Sequence, residues 1–159
     1  MEIIIISKKH GKKILIIDDN DFDKISKYTW NIDRNQNIFY AKTNIRINGK
    51  QIKLKMHRFI MGAVRGQQID HINGNGLDNR KCNLRFCTIA ENRRNVGRQK
   101  NNTSGYKGVY FNKRRGKYSS EIMADSKKIF LGYFTTIEEA YAAYCEAAKK
   151  YHGKFARIA

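Results

Sequence analysis

Apolar positions along the chain alternate in short runs, and only near the C-terminus do they settle into one long helical stripe. Ile3 to Ile6 and Ile14 to Ile17 are β-branched runs on either side of Lys-Lys-His-Gly-Lys, whose His10-Gly11 supplies a turn. Residues 1 to 17 therefore read as a hairpin. The acidic stretch Asp18 to Asp23 is expected to cap a short helix from Phe22 to Tyr28. Its Asp19, Asp21 and Asp23 resemble the start of a calcium loop. Lys24, however, stands where the sharp-turn Gly belongs, and Trp30 where the bidentate Glu belongs. A second hairpin is clearer, because Ile38 to Ile47 and Gln51 to Met56 flank Asn48-Gly49, a strong signal for a type I′ turn. One or two helical turns from His57 to Gly62 follow, then a short strand from Gln67 to His71.

Residues 96 to 105, Val-Gly-Arg-Gln-Lys-Asn-Asn-Thr-Ser-Gly, have no apolar periodicity and are rich in breakers, so they read as a domain linker. Beyond it, Tyr106 to Asn112, Lys117 to Ala124 and Lys127 to Tyr133 predict a three-stranded antiparallel meander. Thr136 and Glu139 are spaced as a capping box, Gly153 is a stop signal, and Ile137, Tyr141, Tyr144, Ala148 and Tyr151 recur at helical spacing. One long helix closes the chain, with Ala140, Ala143 and Ala147 small enough to let it lie close on a sheet. The class is α+β, with a first domain at 1–95, the linker at 96–105 and a second domain at 106–159.

Charge narrows the partners. The net charge is +18 over 159 residues. Residues 1–100 contribute 21 basic against 9 acidic side chains and residues 101–159 contribute 11 against 5, so the excess is not a tail. Such a field attracts a polyanion. The longest apolar run, Ile3 to Ile6, is far too short to span a bilayer, and no signal-peptide pattern is present. A soluble protein of a cytoplasmic compartment is expected. Cys82, Cys87 and Cys145 form no even-numbered framework, which fits reducing conditions; the spacing of Cys82 and Cys87, with no second pair, argues against a zinc site.

The chemistry concentrates in Ile69 to Asn95. Asp70 adjoins His71, Asn83 lies 12 residues beyond the His, and Asn92 lies 9 beyond that. Thr88-Ile89-Ala90-Glu91 is a second capping box, which places Asn92 in the first turn of a helix, while Asn83 precedes the strand-like Leu84 to Cys87. Strand, Gly-rich loop, strand and helix could bring Asp70 and Asn92 together as hard oxygen donors, which suit magnesium or manganese better than zinc. His71, with an ordinary pKa of about 6.5, can take a proton from water near neutral pH.

The segment resembles the HNH nucleases of the ββα-metal class, in the homing-endonuclease branch. Asp70-His71, Gly74-Asn75, Asp78-Asn79-Arg80, Asn83-Leu84-Arg85 and Glu91-Asn92 carry the likeness, over roughly Met56 to Asn95. The resemblance implies that Asp70 and Asn92 bind Mg2+ or Mn2+, that His71 is the general base, and that Asn83 steadies the loop and imidazole. The final position, often His in other branches, is Asn92 here. Arg80, Arg85, Arg93, Arg94 and Arg98 are the expected contacts to DNA in this half.

Residues 106 to 155 resemble the APETALA-two or ethylene-response-factor type of DNA-binding domain, on Tyr106-Lys107-Gly108-Val109, Gly116-Lys117-Tyr118, Glu121-Ile122, Leu131-Gly132-Tyr133-Phe134 and Glu138-Glu139-Ala140. That likeness implies a sheet laid in the major groove with the helix packed behind it. Val109, Phe111, Tyr118, Ile122, Ile129 and Leu131 would face the helix. The expected DNA contacts here are Lys107, Tyr110, Asn112, Arg114, Arg115, Lys117, Glu121, Lys128 and Phe130. Several Arg of the plant proteins are replaced by Tyr110, Asn112 and Met123, so base preference does not transfer. The reading is a monomeric, DNA-cleaving homing-type endonuclease that mainly nicks duplex DNA. The alternatives are a non-catalytic DNA-binding regulator on the same scaffold and a basic RNA-binding protein of ribosomal type.

Overall fold

The structure is a computed structural model that describes residues 1–98 and 101–158. It is α+β, with several small antiparallel sheets. The chain divides into two compact units, 1–89 and 90–159. The division falls just inside the helix that follows the Asn83 strand. Gln99 and Lys100 of the expected linker lie outside the described residues.

In the first unit, β1 (Glu2–Ser7) and β2 (Gly11–Ile16) pair antiparallel, as their β-branched runs require. Helix α1 (Phe22–Ile25) is shorter than its predicted span, and neither Asp18 nor Asp21 caps a helix with its side chain. The acidic stretch serves another end: Asp18 Oδ2 accepts from Lys81 N at 2.7 Å, and Asp21 pairs with Lys81 Nζ at 3.2 Å. A strand absent from the sequence reading, β3 (Asn31–Asn35), pairs with β4 (Ile38–Ile47), which pairs in turn with β5 (Lys50–Lys55). Its composition, Asn-Ile-Asp-Arg-Asn, carries one apolar residue, so only tertiary pairing reveals it. Asn48 and Gly49 have φ of 48° and 75°, as a type I′ turn demands. Helix α2 (Met56–Ile60), β6 (Gln68–His71) and β7 (Leu84–Cys87) complete the unit, whose core includes Leu15, Ile17, Ile25, Met56, Ile69, Leu77 and Leu84.

The second unit holds all but the first residue of α3 (Ile89–Asn95), then β8 (Val109–Asn112), β9 (Lys117–Ala124) and β10 (Lys127–Phe134), and finally α4 (Ile137–His152). The three strands form one antiparallel sheet with β9 central. Both halves of the Thr136–Glu139 capping box form, and Gly153 ends the helix at φ 52°. Tyr144, Ala147 and Ala148 pack against Ile122, and His152 Nε2 meets the Met123 carbonyl at 2.7 Å. Phe111, expected under the helix, is 48% exposed at the sheet edge.

Gly108 shows why α4 can lie so close. Its φ is +76°, and a Cβ there would collide with the Tyr144 ring and with the Glu121 carbonyl. Gly108→Ala is therefore expected to cost about 3 kcal/mol through overpacking and left-handed strain. Gly116→Ala, at φ +61° with nothing nearby, should cost about 1 kcal/mol from strain alone. Native-state hydrogen exchange of α4 amides in the two variants measures the difference. Equal protection would show that the contact with Tyr144 carries no weight.

Candidate active site

Strands β6 and β7 are joined by a loop that would wander without its own polar contacts. Asn83 closes it: its side-chain oxygen accepts from Asn73 N at 3.0 Å, and its Nδ2 donates to Asn73 Oδ1 at 3.0 Å and to the Asp78 carbonyl at 2.8 Å. Asp78, almost wholly buried, accepts from Asn73 Nδ2 at 2.9 Å and takes a two-pronged grip from Arg80 at 2.8 and 2.7 Å. The Arg80 hydrogen bonds hold the Asp78 carboxyl below its ordinary pKa, against the pull of burial. Backbone bonds from Asn79 N to the Ile16 carbonyl, 2.7 Å, and from Ile16 N to the Leu77 carbonyl, 2.9 Å, fasten the loop to β2. Leu77 and Leu84 anchor it in the core on either side.

The result is a fixed platform for Asp70 and His71, adjacent residues at the end of β6 and both buried. Across the ladder Asp70 faces Arg85, whose Nε and Nη2 both donate to Asp70 Oδ2, at 2.8 and 2.6 Å. The His71 ring lies edge-on to His57, 4.9 Å between centroids, and 5.9 Å from the ring of Tyr40. Tyr40 is also 5.7 Å from His57. Burial lowers the His71 pKa, although Asn79, Asp70 and Asp78 pull the other way. The imidazole is thus neutral at pH 7, the state a general base requires. Burial, with a smaller contribution from His71, pushes His57 down to about 3.

Three of the four motif residues, Asp70, His71 and Asn83, come together in the first unit; Asn92 stands on α3 in the second. Among the described residues no three His, Cys, Asp or Glu side chains cluster as a metal site. Within the first unit the buried Asp70 carboxylate is a hard oxygen donor, the type that magnesium or manganese takes. Of the expected DNA contacts, Arg80 grips Asp78, and Arg85 is engaged with Asp70 with its side chain only 14% exposed. Arg94 pairs with Asp125 at 3.1 Å, and Lys107 Nζ donates to the carbonyls of Arg94 and Val96. Arg93 is on α3 beside Arg94, and Arg98 Nη1 reaches the Gly105 carbonyl at 3.5 Å. Tyr110, Lys117, Lys128 and Phe130 stand on the second unit's sheet, Lys128 paired with Glu121 at 2.8 Å, while Asn112 ends β8 and Arg114 and Arg115 lie in the turn beyond it. Sequence reasoning missed Tyr40 and His57 as neighbours of His71. No local pattern marks them, since they meet it only through the packing of β4 and α2.

The segment that carries this strand–loop–strand arrangement also matches known proteins in sequence. Residues 55–94 match the HNH endonuclease family model, so an HNH endonuclease domain occupies this segment. Over 94 residues, 59% of this chain and 77% of the relative, the chain is 34% identical to Protein 3.8 of Escherichia phage T7, and it belongs to that protein's family. No solved structure matches it significantly.

The buried His57 makes the first unit acid-sensitive. Its folded pKa lies below its unfolded value near 6.5, so the unfolded chain binds the extra proton, and stability is full above that value and lost as pH falls through it. Lowering pH from about 7.5 to about 5 should remove about 2 kcal/mol through this residue. Trp30, the chain's one tryptophan, lies in this unit and reports urea unfolding by fluorescence. His57→Gln should flatten much of the slope, and an unchanged slope would exclude His57 as its source.

Proposed function

We propose that the chain is a metal-dependent endonuclease of the homing type that hydrolyses phosphodiester bonds in duplex DNA and nicks one strand per binding event. The observation that carries this reading is the His71 imidazole, buried, held neutral beside Asp70 and fixed by the Asn83-closed loop within the segment that matches the HNH family. His71 would take a proton from water as the water oxygen attacks phosphorus, and the bond from phosphorus to the 3′ oxygen breaks. A divalent cation, magnesium or manganese, held by Asp70 and Asn92 would supply positive charge at the scissile phosphate and the leaving oxygen. Asn83 acts by holding the loop that carries the Asp-His pair in place.

The second unit supports the same reading. It is a three-stranded sheet backed by one helix, with Tyr110 44% and Phe130 54% exposed, and its residues 101–159 carry a net charge of +6. We take it as an APETALA-two-like module that lays the face with Tyr110, Lys117, Glu121, Lys128 and Phe130 in the major groove. One Asp-His-Asn-Asn set gives one site per chain, which suits a monomer on an asymmetric target in a bacterial or phage-infected cytoplasm. A second reading, a DNA-binding regulator that does not cut, draws on the Arg85 guanidinium seated on Asp70.

Supercoiled plasmid separates the two. With magnesium the wild-type chain should accumulate open circles before any linear product, at a rate first order in enzyme. His71→Ala should lower that rate by roughly 10² to 10⁴ with DNA affinity nearly unchanged. Asp70→Ala should shift the magnesium titration. Duplex binding with no nicking in any divalent metal would select the regulator, and immediate linear DNA at a rate second order in enzyme would select a dimer.

A further inference from the structure

Strand β3 pairs with β4 only from Ile38 to Lys42. Beyond Lys42, β4 pairs with β5 alone, so Thr43–Ile47 and Lys50–Leu54 continue as a two-stranded ribbon closed by Asn48-Gly49. A ribbon of this kind is one of the two elements that the major groove of duplex DNA admits. Side chains of paired strands alternate between faces, and the register puts Asn44 opposite Lys53 and Arg46 opposite Gln51 on one face. All four are exposed. Among the described residues no side-chain hydrogen bond or ion pair engages Asn44, Arg46 or Gln51, and the Lys53 side chain reaches only Asp33, at 3.9 Å.

The types matter as much as the exposure. Arg is the side chain that forks onto guanine, Asn and Gln are those that fork onto adenine, and Lys meets phosphate or guanine. The same face continues down the sheet through Lys42 and Lys55 to Tyr40, by the alternation along β4 and the pairing of Lys42 with Lys55. Lys55 Nζ sits 5.1 Å from the Tyr40 ring, and Tyr40 packs on His71. A polyanion along this face would therefore reach the catalytic histidine's neighbour.

We infer that the β4–β5 ribbon is a second DNA-reading element, entering the major groove beside the cut and contacting base edges through Asn44, Arg46 and Gln51 while Lys53 holds phosphate. The inference rests on the reading of duplex DNA as substrate. From Tyr40 to Arg46 the strand covers about 20 Å, so the bases it reads lie within about six base pairs of the nick.

The test is selection of bound duplexes from a random-sequence library by the full chain in chelator, where no cutting occurs, followed by mapping of nicks in the enriched duplexes after magnesium is added. Arg46→Ala should erase a guanine preference and Gln51→Ala an adenine preference, each weakening the enriched duplex about tenfold. Lys53→Ala should weaken all duplexes alike and reduce the salt slope by about one. These are exposed strand positions, and circular dichroism checks that each variant folds. An unchanged selected sequence in both Arg46→Ala and Gln51→Ala would overturn the inference while leaving the nuclease reading intact, as would an effect confined to self-association. Lost preferences without any nicking would uphold the ribbon and overturn the nuclease reading. A wild-type chain that binds no duplex would overturn both.

Discussion

The carboxamide of Asn83 is the constraint on which the candidate site depends. A loop of Gly, Asn and Asp between two four-residue strands has no apolar reason to adopt one shape, and β6 with β7 alone would be a marginal hairpin. Asn83 supplies three hydrogen bonds that tie the two ends of the loop together, and Asp78 supplies the opposing anchor. Asn83 and Asp78 are buried although Asn73 is exposed, so a side-chain group of either left unpaired would carry a desolvation penalty of about 1–3 kcal/mol, which favours the closed loop. Its closure fixes where β6 ends, and so where Asp70 and His71 stand.

Outside the motif, the N-terminal residues hold that loop from two further sides. Asp18 accepts from the backbone of Lys81 just ahead of Asn83, and the β2 backbone pairs with the loop at Leu77 and Asn79. From the other direction β4 delivers Tyr40. A Cβ at Gly76 would lie 2.6 Å from the Tyr40 ring, so only glycine allows the loop to pass there. The hairpin and sheet that precede the motif are thus part of the site's scaffold, and the imidazole is buried because Tyr40 and His57 cover it.

Much of the fold was legible because it is written locally. The Asn48-Gly49 turn, the Thr136–Glu139 capping box and the Gly153 stop are chemical signals within a few residues, and each appears as read. The Asp-His and Asn spacing likewise located the loop. What stayed hidden is non-local: β3 is polar and becomes a strand only by pairing with β4, and the acidic stretch before α1 looked like a cap because its true partner, Lys81, is 63 residues from Asp18. Tyr40 and His57 gave no sign for the same reason.

Arg85 joins the strand pair to the chemistry of the site. A cationic side chain in a basic protein invites assignment to DNA, yet its Nε and Nη2 each donate to one oxygen of Asp70. Taking a carboxylate out of water beside a histidine costs several kcal/mol unless a positive partner accompanies it, and the register of β6 with β7 places that partner directly opposite. The pairing is what makes this buried carboxylate tolerable. Removing Arg85 would take two charge-assisted hydrogen bonds from the buried carboxylate, so a substitution there acts first on the stability of the strand pair. The residues that meet the duplex are then to be sought where cations are exposed and uncommitted, on the sheets rather than in the loop.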